Sequence, residues 1–300
     1  MRVISLLASG TEIVCALGAG DCLVGRSHEC DNPPWVRSLP SCTEPAFDVN
    51  MPSGEINREV SRRIRCGEPL YRIDTDLIQE LAPDVIITQA HCDVCAVTPG
   101  DVDRSGCAAP AARILTLRAG TLNGIFDDML EIAQALGRES QGRQLVCLEQ
   151  RRLAKVRASA SRRRRPAVVA IEWTDPIFAM GNWGPELIEL AGGELLLGET
   201  GRYSRPITFD QIMCADPDYL IIAPCGFDLK RTASEMKILE RYPGWSSLRA
   251  VAARRVALAD GNLLFNRSGM TVSLTAEVIA EMLHGINFDH PTENKYWRWY

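Results

Sequence analysis

Thr88-Gln89-Ala90-His91-Cys92-Asp93-Val94-Cys95 follows directly on the apolar run Val85-Ile86-Ile87, which Pro83 and Asp84 introduce. A short apolar run bounded by turn residues reads as a strand buried on both faces, the mark of a parallel sheet. In open α/β sheets ligands collect beyond the carboxyl ends of the strands. The segment therefore sets a carboxamide, an imidazole and two thiols where a ligand is expected.

Working outward, further strands are predicted at Val3–Leu7, Leu23–Gly25, Leu70–Ile73 and Ile114–Leu117, with helices at Thr11–Leu17 and Thr75–Leu81. From Arg118 to Arg163 a helical pattern runs through Ile125, Met129, Ile132, Leu136, Leu145, Leu148, Leu153 and Val156. Gly137 and Gly142 weaken that pattern without being expected to end it. About 40 helical residues rise roughly 60 Å. Beyond Pro166 the alternation restarts, with strands at Ala167–Ile171, Tyr219–Ala223 and Arg255–Leu258 and helices at Pro185–Leu190, Ala233–Arg241 and Thr271–Leu283. The predicted organisation is an α/β lobe over 1–120, a bridging helix over 121–165 and a second α/β lobe over 166–300. The second lobe ends in a terminal helix and an aromatic tail, Asn294-Lys295-Tyr296-Trp297-Arg298-Trp299-Tyr300, expected to dock on the body or on a partner.

Three hundred residues suffice for two lobes with their own cores. A net charge of −5 argues against a general nucleic-acid binder. No apolar run approaches the ~20 residues of a membrane span. Eleven cysteines make an odd number in a long chain, unlike a secreted disulfide framework. After Met1-Arg2 the chain enters the first strand pattern without a long apolar leader. As written it is expected in the cytoplasm with reduced thiols, and in the periplasm if the true start lies upstream.

Ser27-His28-Glu29-Cys30-Asp31 forms a second donor cluster at a strand end. His28, Cys30, Cys92 and Cys95 are the nitrogen and sulfur donors that a zinc or iron site would use, although only one Cys-x-x-Cys pair is present. A redox pair at Cys92 and Cys95 lacks a following helix to lower the thiol pKa. A Cys92 nucleophile beside His28 or His91 lacks an orienting third residue. In the second half, Glu172-Trp173 follows the strand Ala167–Ile171 and Gly181-Asn182-Trp183-Gly184 opens a helix. Tryptophans usually belong to cores, but these stand in turns beside glycines, which favours a flat, partly apolar ligand. Arg267, before the last helix, is either a carboxylate clamp or a surface cation. The basic run Arg162–Arg165 reads as a solvated helix end.

Taken together, Val3–Gly18, Ser27–Pro34, Thr88–Val97, Glu172–Gly193 and Phe265–Gly269 resemble, in order, the cobalamin-binding family of ABC-transporter solute-binding proteins. The most specific strings are Ser27-His28-Glu29-Cys30-Asp31 and Thr88-Gln89 through Cys92, Val94, Cys95, Ala96 and Val97. The resemblance implies the class III solute-binding fold: two Rossmann-like lobes joined by a long rigid helix, with the ligand in the interlobe cleft. It implies a non-catalytic protein that delivers cobalamin or a related corrinoid, or a similar metal-centred ligand, to an ABC permease. Expected contacts are Ser9, Thr11, His28, Glu29, Gln89, Cys92, Trp173, Asn182, Trp183 and Arg267. The alternatives are a cytosolic metal or metal-cluster protein built on the thiols and His28, and an enzyme acting on a corrinoid or tetrapyrrole.

Overall fold

The computed structural model describes residues 1–90, 96–104, 112–288 and 291–300. Its first half contains β1 (Val3–Ser5), α1 (Ala8–Ala16), β2 (Leu23–Arg26), β3 (Thr43–Pro45), α2 (Ser53–Cys66), β4 (Tyr71–Ile73) and α3 (Thr75–Leu81). It continues with β5 (Val85–Gln89), α4 (Pro99–Arg104), β6 (Arg113–Leu117), α5 (Leu122–Ala135) and α6 (Glu139–Ala160). Four of the five predicted strands form one parallel sheet in the order β2-β1-β5-β6, whereas the predicted strand at Leu70–Ile73 becomes β4 and pairs antiparallel with β3. Val85, Ile86 and Ile87 are all buried, which removes apolar surface worth roughly 1.5–3 kcal/mol per side chain. Gly10 lets α1 lie against this sheet, because an added Cβ would come within 2.9 Å of both Ile87 and Ser5. Asp74 caps α3 by accepting from the Leu77 amide at 2.9 Å.

The second half contains β7 (Ala167–Thr174), β8 (Ile177–Ala179), α7 (Gly184–Leu190), β9 (Glu194–Leu195), β10 (Arg205–Pro206), α8 (Phe209–Ala215) and β11 (Tyr219–Ile222). It closes with α9 (Leu229–Leu239), α10 (Arg249–Ala252), β12 (Val256–Ala259), α11 (Val272–His284) and β13 (Trp297–Trp299). A mixed sheet runs β10-β8-β7-β11-β12-β13, with β9 also on β7. Its centre, β7-β11-β12, is parallel, and both edges are antiparallel. The core joins Val169, Ile171, Leu220, Ile222, Val256 and Leu258 of these strands to Met236 and Leu239 of α9. Thr208 and Gln211 form a reciprocal capping box at the start of α8.

Two compact units emerge: residues 1–51, 58–119 and 123–148, and residues 52–57, 120–122 and 149–300. The first turn of α2 and the second half of α6 thus group with the second unit. The bridging stretch is two helices, not the single helix expected over 121–165. Gly137, at φ +63°, ends α5, and the Arg138 amide turns back to the Ala133 carbonyl at 2.7 Å. Gly142 serves close packing, since a Cβ there would meet that of Ala133 at 2.4 Å. Helix α6 retains 22 residues and spans the division between the units. Within the second unit, Arg152 of α6 makes a two-point ion pair with Glu277 of α11. The basic run is more engaged than a solvated helix end: Arg164 pairs with Asp218 and Arg165 with Glu189. Among the described residues no helix is long and apolar enough to cross a membrane.

Candidate ligand-binding site

In the first unit the chain leaves β2 alongside the end of β1, held by the Ser27 amide on the Ser5 carbonyl at 2.8 Å. Arg26 fixes this exit by donating to the carbonyls of Ser27, Arg37 and Leu39. His28 comes next, half-buried, with its ring 5.5 Å from that of Tyr71. The Thr43 hydroxyl organises it. That oxygen accepts from the His28 backbone amide at 3.1 Å, lies 2.8 Å from Nδ1 and lies 3.2 Å from Ser27 Oγ. When Thr43 gives its proton to Ser27, Nδ1–H donates to Thr43 and Nε2 is left with a lone pair. Nε2 lies 4.0 Å from a carboxylate oxygen of exposed Glu29.

Burial pushes the His28 pKa down to about 4; the Arg26 charge acts the same way and Glu44 opposes it. The imidazole is therefore neutral at physiological pH, the form that ligates metals. An unfolded chain titrates near 6.5, so between there and pH 4 it takes up a proton that the folded chain refuses. Stability is expected to be highest above pH 6.5 and to fall as the pH drops toward 4, by on the order of 3 kcal/mol from this residue. Urea unfolding at pH 7 and pH 4.5 checks this. His28→Gln should remove that share of the slope, and an unchanged slope would contradict the assignment.

The other expected contacts of this unit divide. Gln89, the last residue of β5, and Ser9 of α1 are buried at the strand ends. Thr11 is not a surface contact. It is wholly buried, and its hydroxyl lies 3.0 Å from the Cys30 sulfur, which also reaches the Ser5 carbonyl at 3.7 Å. Cys30 is thereby sealed under α1 while the His28 ring turns to Thr43 and Tyr71, so the expected pairing of His28 with Cys30 on one metal is not formed. Among the described residues no group of three metal-ligating side chains converges. Cys92 and Cys95 lie outside the described residues.

In the second unit β7 delivers Glu172 and Trp173. Trp173 is half-buried, donates to the Asp175 carbonyl at 3.0 Å and tilts against Phe227 at 5.1 Å. Asn182 occupies the left-handed region at φ +53° and bonds the 199–204 loop, its amide donating to the Arg202 carbonyl at 2.6 Å. Trp183 is a correction to the sequence reading: it is only 4% exposed, in the core at the start of α7. Arg267 is another. It is buried and donates to the backbone and side-chain carbonyls of Asn262 at 2.7 and 3.2 Å, which staples its own loop instead of leaving a free clamp. Trp183→Ala is expected to cost about 3–5 kcal/mol of stability. Trp173→Ala should instead weaken ligand binding by about 1–2 kcal/mol. Paired urea melts and ligand titrations check both, and reversed roles would refute the division.

Sequence reasoning missed Thr43, Tyr71 and Ser204. The antiparallel β3–β4 pair that carries the first two is too short to show a period. Ser204 sits in an irregular loop.

The sequence matches the family model described as periplasmic binding protein over residues 3–263. The chain belongs to the periplasmic binding protein family. Solved structures with the same fold include a periplasmic haem-binding protein from Pseudomonas aeruginosa, 18% identical, with a TM-score of 0.74 over 99% of this chain and 97% of that one. The periplasmic haem-binding protein of Roseiflexus sp. RS-1 is 21% identical, with a TM-score of 0.70 over 95% and 98% of the two chains. The periplasmic vitamin B12 binding protein of Vibrio cholerae is 20% identical, with a TM-score of 0.67 over 94% and 96%. No curated protein sequence matches the chain. As a member of this family, the chain has the class III architecture expected from the sequence.

Proposed function

We propose that this periplasmic binding protein carries a metal-centred tetrapyrrole, a corrinoid or haem, to an ABC-type permease without transforming it, and that it works in the periplasm. The observation that carries the reading is His28: a neutral imidazole at a strand end, with Nδ1 anchored on Thr43 and Nε2 directed away from that anchor. Such an anchor fixes the ring and raises its basicity toward a metal. Glu29 and Gln89 supply further contacts from strand ends of the same unit. The family and the solved structures of proteins that bind haem or vitamin B12 support the ligand class. The separate metal-centre reading receives no such support, because His28 and Cys30 diverge.

Spectral titration with aquocobalamin and with haemin tests the proposal. One equivalent of at least one of them should bind with a shift of its visible bands, as imidazole replaces the axial water. Absence of binding by both would overturn the reading.

A further inference from the structure

We propose that the second half of α6 and the turn after it form a basic docking surface for an anionic membrane, seated on the phospholipid headgroups around the permease. The inference goes beyond the carrier reading above and uses it only to choose a membrane as the partner. Residues 151–165 hold eight arginines and lysines and no aspartate or glutamate, in a chain whose net charge is −5. All of them group with the second unit. Three are engaged inside that unit: Arg152 on Glu277 of α11, Arg164 on Asp218 ahead of β11, and Arg165 on Glu189 of α7 and on the Gly193 carbonyl. Arg151, Lys155, Arg157, Arg162 and Arg163 are exposed. Among the described residues, Arg151, Arg157, Arg162 and Arg163 make no ion pair with a carboxylate.

Fold stability does not account for this placement. Arg151 and Lys155 stand at positions i and i+4 of α6, where like charges repel. Leu153, Val156 and Ala160 are buried, so Arg151 and Lys155 lie on the outward side of the helix, beside the exposed small residues Ala154 and Ala158. The negative helix end favours cations only within about the last turn. That covers Arg157, Arg162 and Arg163 but not Arg151, more than two turns before the end at Ala160. A flat anionic surface suits the whole set. Each Lys or Arg held near such a surface adds about fivefold to partitioning, and the guanidinium fork matches phosphate oxygens. Single-stranded nucleic-acid sites add aromatic side chains for base stacking, and 151–165 contains none. Because the chain as a whole is negative, attraction confined to one patch also orients it on the membrane.

The test is flotation of the full chain with vesicles of phosphatidylcholine alone and of phosphatidylcholine mixed with phosphatidylglycerol, in low and in high salt. Wild type should bind the anionic vesicles at least tenfold more tightly than the neutral ones, and high salt should abolish the difference. The triple variant Arg151→Gln, Arg162→Gln, Arg163→Gln should lose at least tenfold in binding to anionic vesicles. A control triple, Lys230→Gln, Lys237→Gln, Arg241→Gln, removes the same charge from exposed positions on and just after α9 and should lose less than threefold. All six side chains are exposed, and equal urea midpoints verify that both variants fold. No preference of wild type for anionic vesicles, or equal losses in the two triples, overturns the inference. Tighter binding to duplex DNA than to the vesicles at matched phosphate concentration would assign the patch to nucleic acid and overturn it as well. The carrier reading stands or falls separately, on the tetrapyrrole titration.

Discussion

Replacing His28 with alanine is expected to weaken tetrapyrrole binding by about 100-fold, roughly 3 kcal/mol. The residue is half-buried and prepared: burial keeps it neutral, and Thr43 holds the ring through Nδ1. Losing it removes the proposed metal contact and the ring's bond to Thr43, whose hydroxyl keeps its bonds to Ser27 and to the backbone amide of residue 28. Thr43→Val keeps the imidazole but frees its orientation, and should weaken binding about tenfold, as loss of an outer-shell hydrogen bond to a ligating histidine typically does. Equilibrium titration followed by absorbance reads both. The axial-ligand band shift should vanish in His28→Ala and persist, at higher ligand concentration, in Thr43→Val. An undiminished shift in His28→Ala would assign the metal contact to another residue.

Trp297→Ala is expected to cost about 3–5 kcal/mol of stability, although only three residues of the sequence follow it. The side chain is 2% exposed, its indole N–H donates to Thr292 at 3.1 Å, and its ring meets Trp299 edge-on at 4.9 Å. The Thr292 hydroxyl in turn bonds Glu281 of α11. These contacts seat β13 antiparallel on β12, pairing Trp297 with Ala259 and Trp299 with Ala257. Without the tail, β12 becomes an exposed edge of four apolar residues, a template for aggregation. Urea unfolding should show the loss as a lower midpoint, accompanied by aggregation at high protein concentration. A cost below about 1 kcal/mol would mean that the tail is an ornament on the sheet.

The sequence alone determined the alternation of strands and helices, because buried parallel strands announce themselves as apolar runs. Val85–Ile87, Ala167–Ile171 and Tyr219–Ala223 all lie in or overlap strands of the two sheets. It also determined which segments stand at strand ends, and so pointed to His28, Gln89 and Trp173. Periodicity is a local property, and it fails where the partner is distant. Trp183 looked like a ligand contact because it sits among glycines in a turn, yet packing buries it. Thr11 and Cys30, nineteen residues apart, satisfy each other under α1. Arg267 spends its charge on Asn262, a choice visible only once the loop is folded. Gly137 resembled a tolerated weak point in one long helix until its left-handed backbone ended α5. Thr43 acquires its role by lying 2.8 Å from the His28 ring across fifteen residues of chain. Only the tertiary structure decides such outcomes, because burial and hydrogen-bond partnership belong to pairs of segments, whereas composition and spacing belong to one.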